Sequence, residues 1–496
     1  MSLILAIDQG TSSSRGIVFD LAADGSARIR GDAQRTFDAI FPQDGWVEQD
    51  PEVLWQTTLD ASREAIANAG IEGRDIAAIG ITNQRETTLV WDKQTGQCVY
   101  NAIVWQDRRT ADRCQQMRDE GMAESVSSKT GLVLDPYFSG TKLAWLLDER
   151  PGLRQRAANG ELCFGTVDTF LLWRLTKGLA HLTDATNASR TLLFDISEQR
   201  WDSELLRYFD IPATLMPEVC DSAHGFGMAD AEWFGAEIPV TGIAGDQQAA
   251  LVGQGCLNAG MCKSTYGTGC FLMANTGQKR LRSDGGLLTT VGYRLSGEVT
   301  YALEGSIFAA GVAVKWLRDR LQLIDDAAET ETLARDIGGD TGGVYVVPAF
   351  TGLGAPHWNP NVRGTITGLT LDSSRAQIVT ATLQSVAFQT AELLAAMAHD
   401  GAVVEQLGVD GGMVVNDWLC QFLADILNVT VERPVIIETT ALGAANLAAL
   451  GAGLVPALNT RMRGLDRVFV PSMEDARRQA LLVGWQGALV QALAGN

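Results

Sequence analysis

Residues 243–254 read Ile-Ala-Gly-Asp-Gln-Gln-Ala-Ala-Leu-Val-Gly-Gln. An apolar run from Ile238 to Ile243 ends at Gly245, and Asp246 and Gln247 stand where a small-residue helix begins. A carboxylate at such a strand-to-helix corner lies beside backbone N–H groups whose dipoles favour anions. Two roles are open to Asp246. An Asp before a helix commonly caps it, whereas a carboxylate next to an anion site can serve as a base beside a phosphate.

Two further segments have the same form. Leu3 to Ile7 reads as a buried strand, Asp8-Gln9-Gly10-Thr11-Ser12-Ser13-Ser14-Arg15 as a tight polar turn, and Gly16 to Phe19 as a return strand. The hydroxyls of Thr11, Ser12 and Ser13 and the turn's N–H groups can donate to phosphate oxygens. Arg15 can add charge, and Asp8 can hold Mg²⁺ through water. An ordinary Gly/Ser turn is the alternative. Near the far end, Leu407-Gly408-Val409-Asp410-Gly411-Gly412 runs an apolar strand into a glycine pair and then a helix. Such a pair lets a flat ligand or a phosphate approach the backbone. Strand, Asp and Gly thus recur at the start, the middle and the far end of one chain.

That arrangement resembles the two phosphate segments and the adenosine segment of the actin-like ATPase superfamily. Within it, the chain resembles the FGGY carbohydrate kinases, and most closely those that phosphorylate glycerol. Tyr137 to Glu149 (YFSGTKLAWLLDE) matches the first FGGY signature, and Gly364 to Leu369 (GTITGL) the start of the second. Longer blocks carry the likeness along nearly the whole chain to about residue 455: GWVEQDP (45–51), GITNQRETT (80–88), NAIVWQDRRT (101–110), GTVDTFLLW (165–173), TDATNASRTLLFDI (183–196), STYGTGCF (264–271), YALEGSIFAAG (301–311) and VPAFTGLGAPHW (347–358).

Composition sets bounds. At 496 residues the chain exceeds one hydrophobic core, and 46% hydrophobic residues with 52 glycines and 13 prolines describe a globular, loop-punctuated protein. The 39 Lys and Arg against 59 Asp and Glu leave a formal charge of −20, which disfavours nucleic acid or an anionic membrane as partner. A nucleotide site must then rely on local N–H dipoles and nearby cations. The eight cysteines form no CxxC pair and, with four histidines, no zinc spacing, as expected of small buried hydrophobes in a reducing cytosol. No uncharged apolar run of roughly 18 residues, the length a bilayer span needs, is read, and no basic leader is read. Membrane insertion is not expected; a cytoplasmic location is.

Apolar and amphipathic runs alternate, which favours α/β architecture. Asp50-Pro51 should open a helix, with Pro at its first position. Apolar residues at helical spacing over 376–398 should form a core stripe rather than a ligand site, and 440–450 a close-packed helix of small residues. The GxxxxGK[ST] loop and the HRD and DFG motifs are absent. The expected division follows the 243–254 corner: 1–251 carrying the phosphate segments and polyol pocket, 252–496 the adenosine segment. The resemblance implies two actin-like, ribonuclease-H-like domains facing each other across a catalytic cleft.

Arg85 and Glu86, after an apolar strand from Ala78 to Ile81, offer a donor fork beside a bidentate acceptor, suited to a triol or to a buried structural ion pair. The resemblance implies that Arg85, Glu86, Tyr137, Asp246 and Gln247 bind glycerol hydroxyls. It implies that Trp105 and Phe271 pack against the carbon edge, although aromatics are ordinarily core. Asp246 would take the proton during in-line transfer from ATP, giving sn-glycerol 3-phosphate. Thr11, Ser12, Ser13 and Arg15 would meet the phosphates from one side and Thr268 from the other; Gly311, Lys315, Gly412 and Asn416 would line the nucleotide pocket; Asp8, through water, and Asp246 would face Mg²⁺. A homo-oligomer, dimer or tetramer, is expected. Another polyol or ketose kinase of the family is the nearest alternative reading, and an actin-like filament or chaperone ATPase a more distant one.

Two departures from the family pattern stand out. Lys315 replaces a Gln common near the adenosine. The loop 224–236 lacks the Gly-Gly-Lys-Gly-Gly pattern that binds fructose 1,6-bisphosphate in some relatives, and has Glu232 where others carry a phosphorylatable His. Millimolar fructose 1,6-bisphosphate is therefore expected to leave activity unchanged in a steady-state assay. Inhibition relieved by altering residues 224–236 would contradict this.

Overall fold

The computed structural model describes residues 2–22, 24–359 and 361–495. Its first sheet takes six strands: β1 (Ser2–Gln9), β2 (Ser13–Leu21), β3 (Ala27–Thr36), β4 (Ile76–Asn83), β5 (Ala223–Ala229) and β6 (Ile238–Gly245), in the order β5-β6-β4-β1-β2-β3. Strands β1 to β3 form an antiparallel meander, while β4 and β6 run parallel to β1. Ile4, Leu5, Ala6, Ile79 and Ile81 are buried, as a sheet covered on both faces requires.

The second sheet repeats the plan. Strands β7 (Met261–Tyr266), β8 (Cys270–Gly277), β9 (Leu288–Leu295), β10 (Glu298–Ile307), β11 (Gln406–Asp410), β12 (Thr430–Arg433) and β13 (Arg467–Phe469) lie in the order β9-β10-β8-β7-β11-β12-β13. An antiparallel run ends at β7, beside which β11 and then β12 lie parallel. An antiparallel run, of three strands in the first sheet and four in the second, followed by two parallel strands is the ribonuclease-H-like pattern expected of the chain. Every strand of the first sheet precedes residue 246, and every strand of the second follows residue 260.

Helices appear where their signals lie. Asp50 accepts from the Glu52 N–H at 2.8 Å and Pro51 begins α1 (Pro51–Asn68). Asp246 opens α2 (Asp246–Gly253), and α3 (Gly311–Asp319) follows the second sheet's meander. The 376–398 stripe lies on α4 (Arg375–His399), whose Ser374 and Gln377 form a capping box. The glycine pair leads first into a short 3₁₀ turn, Gly412–Val415, and then into α5 (Asp417–Leu427). The small-residue helix is α6 (Thr439–Gly451).

Helix α6 lies against the first sheet although its sequence follows the second: Ala441, Leu442, Ala445 and Ala448 pack with Ile4, Ala6 and Ala78. It also crosses α2 at backbone contact. A Cβ on Gly443 would stand 1.8 Å from the Ala249 carbonyl oxygen, and one on Gly253 would stand 1.9 Å from that of Thr439. Only glycine permits this approach. Gly443→Ala is expected to cost about 1–3 kcal/mol, the range for forced overpacking, read as a lower urea midpoint at unchanged slope. An unchanged midpoint would show that the crossing has slack.

Candidate active site

The parallel strands β1, β4 and β6 bring their carboxyl ends together, the place where α/β sheets gather ligands. Asp8 and Ala244 both lie opposite Thr82, and Gln9 and Gly245 both lie opposite Asn83. Asp8, Arg85 and Asp246 therefore emerge at one rim. The polar turn is tighter than its sequence reads. β1 continues through Asp8 to Gln9 and β2 starts at Ser13, so Asp8 and Arg15 face each other as a cross-strand pair rather than lying in the loop. The turn itself is Gly10 to Ser12, closed by the Gly10 N–H on the Ser13 carbonyl at 2.9 Å. Extended β-pairing extracts two more ladder positions than the loop-forming residues suggest.

Asp246 is the first residue of α2, and Gly245 rather than Asp246 holds the cap position. The capping role left open for Asp246 is thereby set aside. Its Oδ1 pairs with Arg85 Nε at 3.1 Å and accepts the Gln247 N–H, and its side chain is 30% exposed while Arg85 is almost wholly buried. Arg85 does not present an open fork. Nη1 and Nη2 both donate to Glu304 of β10, at 2.5 and 3.1 Å. Arg190 completes the set, donating through Nε to Glu86 at 2.6 Å and through Nη2 to Glu304 at 3.0 Å. Arg85, Glu86, Arg190 and Glu304 thus form a buried quartet of two cations and two anions that joins the two sheets.

Burial alone would raise the Glu304 carboxyl; Arg190 and Arg85 outweigh it and hold it near 2. Burial outweighs Arg190 and the more distant Arg85 at Glu86, so its carboxyl is raised. Its backbone sits at φ 61°, a strained conformation for a non-glycine residue, where Ser139 and Thr88 hydroxyls hold its carbonyl. Burial raises the Tyr137 hydroxyl well above its ordinary range, so it remains a donor beside Glu86.

Trp105, Tyr137 and Phe271 do converge. The Trp105 ring lies 5.4 Å from Tyr137 and 6.5 Å from Phe271, both edge-on, and all three side chains stay partly exposed. Trp105 also donates its indole N–H to Thr11 at 2.9 Å. Gln247 is buried, with its carbonyl oxygen held by Lys263 Nζ, which also reaches Thr265 at 3.1 Å. The sequence reading gives Gln247 a contact with glycerol and no protein partner. Lys263, Glu304, Arg190 and Gln248 escaped that reading, yet all but Arg190 left a trace: a charged or amide side chain inside an apolar strand or small-residue helix is a buried polar group needing a partner.

Arg15 is ion-paired with Glu438, just before α6, and reaches Gln34 at 3.2 Å. Ser13 accepts from Gln34 at 2.8 Å, and Ser12 is exposed at the turn. Burial pushes the Asp8 carboxyl up to about 7 against the pull of Arg15, and Asp246 and Glu438 add to the push.

At the ends of β7 and β11 of the second sheet lies a cavity of about 490 Å³. Thr268, Gly311, Lys315, Gly412 and Asn416 all line it, with Val314, Thr330 and Met413. Gly411 has φ +91°, and a Cβ there would meet the Tyr266 carbonyl oxygen at 2.5 Å, so only glycine lets β11 turn past β7 into the cavity wall. Asn416 caps α5 through the Leu419 N–H and donates to Thr330. Lys315 is exposed on α3. Leu383 of α4 also borders the cavity, so the core stripe of α4 is not wholly remote from ligand space. Asp410 takes no part: Gln254 and Thr439 hold its carboxylate at 2.7 and 2.6 Å.

Comparison with known proteins gives this arrangement a family. The model of the FGGY family of carbohydrate kinases, N-terminal domain, matches residues 3–253, and that of the C-terminal domain residues 262–452. The chain belongs to the FGGY family of carbohydrate kinases. A glycerol kinase of Marinomonas sp. is 58% identical, with 98% of each chain covered, and glycerol kinase 1 of Pseudomonas aeruginosa is equally similar over the same shares. The solved structure of Plasmodium falciparum glycerol kinase with ADP superposes with a TM-score of 0.92 at 36% identity, covering 99% of this chain and 98% of that one. A Lactobacillus acidophilus xylulose kinase shares the fold at a TM-score of 0.88 and 21% identity.

Within this FGGY frame the quartet's energetics are testable. Removing one partner of a buried ion pair typically costs about 3–5 kcal/mol. Glu304→Gln is expected to lose that much. Because Glu304's carboxyl is held near 2, below its ordinary 4.5, its contribution is complete above pH 4.5 and lost only as pH falls towards 2. The stability gap between wild type and variant should therefore be flat from pH 5 to pH 9 in urea titrations. A gap that closes within that window would mean that Glu304 is not ionised in the folded protein.

Proposed function

We propose that this chain transfers the γ-phosphoryl group of ATP to a terminal hydroxyl of glycerol, giving sn-glycerol 3-phosphate. The observation that carries the reading is the meeting of Asp246, the Arg85–Glu86 pair and the Trp105–Tyr137–Phe271 wall at one rim, with a cavity sized for a nucleotide at the ends of β7 and β11. The glycerol kinases that align over nearly the whole chain support it. A filament ATPase needs no polyol pocket. The two halves, 1–251 and 252–496, are proposed as the domains that close over the substrates.

Glycerol would lie with its carbon edge on Trp105 and Phe271. Tyr137 donates a hydrogen bond, and Glu86 and Arg85 fix a second hydroxyl. Lys263 holds the Gln247 oxygen, which leaves the amide N–H₂ as the group offered to substrate. Both protein contacts of Asp246 fall on Oδ1, so its second oxygen is free to accept the proton of the attacking hydroxyl. Most of the rate comes from alignment and charge neutralisation, as in other phosphoryl transfers. The turn Thr11 to Ser13 with Arg15 would cradle the phosphates, and Thr268 would approach from the second sheet. Gly311, Gly412 and Asn416 would border the nucleoside, with exposed Lys315 adding positive charge.

Mg²⁺ fits the donor set. Among the described residues no group of three or more His, Cys, Asp or Glu forms a metal cage. Mg²⁺ commonly keeps several waters and binds through one or two carboxylates and substrate phosphates. Asp8, whose carboxyl is pushed up to about 7 chiefly by burial, with Asp246 adding to the push, and Asp246 itself are the residues that would face it. When bound, it would neutralise the phosphate charge. The eight unpaired cysteines suit a reducing compartment, consistent with the cytoplasm.

Asp246→Asn separates a base from a structural residue. A positioned acid–base group is worth roughly 10²–10⁴ in rate, so kcat at saturating ATP and glycerol should fall by that much while Tm hardly moves. A variant with nearly full kcat would remove Asp246 from the chemistry. Among glycerol, dihydroxyacetone, erythritol, xylulose and ribulose, glycerol should show the highest kcat/KM. A strong preference for a five-carbon ketose would favour the other family reading.

A further inference from the structure

Three buried glutamines surround the phosphate turn, and each is almost wholly enclosed: Gln9, Gln49 and Gln84. Gln9 Nε2 donates to the Gly10 carbonyl at 2.8 Å, and Gln49 Nε2 donates to the Thr11 carbonyl at 2.7 Å. Gln84 Nε2 donates to the oxygens of both, Gln9 Oε1 at 3.0 Å and Gln49 Oε1 at 2.9 Å. Gln84 Oε1 accepts the Thr87 hydroxyl at 3.0 Å, and Thr87 Oγ1 accepts the Trp105 backbone N–H at 3.3 Å. The Trp105 indole N–H returns to Thr11 Oγ1 at 2.9 Å.

These bonds close a ring: Trp105 backbone, Thr87, Gln84, Gln49, Thr11, Trp105 indole. Each amide presents one donor side and one acceptor side, so the orientation of one fixes the next. Carbonyls of the turn are drawn inward by the amides. The geometry points to a positioning role for Gln49 and Gln84: the ring sets the phosphate turn according to the placement of Trp105, so that polyol seated on Trp105 holds the turn in its phosphate-binding form. This rests on the proposed glycerol kinase reading and adds a means by which the acceptor site speaks to the nucleotide site. Gln84 directly precedes Arg85, so the same strand end serves both.

The test uses the full chain and Gln84→Met, with Gln49→Met as the second variant in case the first does not fold. Kd for ADP is measured by calorimetry with and without saturating glycerol, alongside Kd for glycerol alone, kcat and Tm. Wild type should bind ADP several-fold more tightly with glycerol present. In a folded variant that gain should vanish and kcat should fall about tenfold, as sub-ångström misplacement of reacting groups allows. Glycerol affinity alone should change less than twofold. The inference is overturned if ADP binding in wild type is indifferent to glycerol. It is equally overturned if a folded variant keeps the gain, or if its kcat loss comes only with matching losses of glycerol affinity and Tm. Failure of wild type to phosphorylate glycerol would sink the functional reading instead, a result visible before any variant is made.

Discussion

Four buried charges hold the site together. Arg85 and Glu86 come from the end of β4, Arg190 from the segment after the short helix Ala185–Ala188, and Glu304 from β10 of the other sheet. Each ion is buried at a cost that only its partners offset, so none can move alone. That constraint fixes the distance between the two sheets at the depth of the cleft. It also explains why Arg85 can serve substrate only through what Glu304 leaves it. The ion-pair reading of Arg85 and Glu86 is met chiefly through Glu304 and Arg190, and it is compatible with the proposed polyol-binding role.

A second constraint lies behind the first. Helix α6 belongs by sequence to the second half yet packs on the first sheet, and its glycine crossing with α2 sets the helix that carries Asp246. Glu438, one residue before α6, pairs with Arg15 at the phosphate turn, while Thr439 holds Asp410 at the end of β11. One helix start thus touches β2, beside the polar turn, and the end of β11 together. Small residues there buy closeness that larger ones would forbid.

Much of this was legible from residue order. Of the three strand–Asp–Gly corners, the first two meet at one rim of the first sheet and the third borders the cavity, and the alternation of apolar and amphipathic runs points to α/β sheets. The structure brings the aromatic trio together, and Thr268, Gly311, Lys315, Gly412 and Asn416 line one cavity. Less legible were contacts between residues far apart in sequence. The Asp of the third corner looks like those of the first two, but Gln254 and Thr439 consume it. Nothing near Arg85 announces that Glu304, over two hundred residues later, occupies its fork. The turn at Gly10 was read too long because hydroxyl-rich residues favour loops locally, whereas cross-strand pairing with β3 extends β2 back to Ser13. Local pattern finds the elements; the partners of buried charges depend on tertiary contact.

The proposed reaction is a single in-line displacement with no phosphorylated side chain. The alcohol should attack phosphorus directly, with Asp246 taking the proton and the turn and cavity holding the nucleotide in line. The most direct test is the stereochemical course, followed with ATP made chiral at its γ-phosphorus by sulfur and oxygen isotopes and glycerol as acceptor. The account predicts inversion of configuration in the glycerol phosphorothioate. Retention would require two displacements and a phosphorylated side chain, and would contradict it.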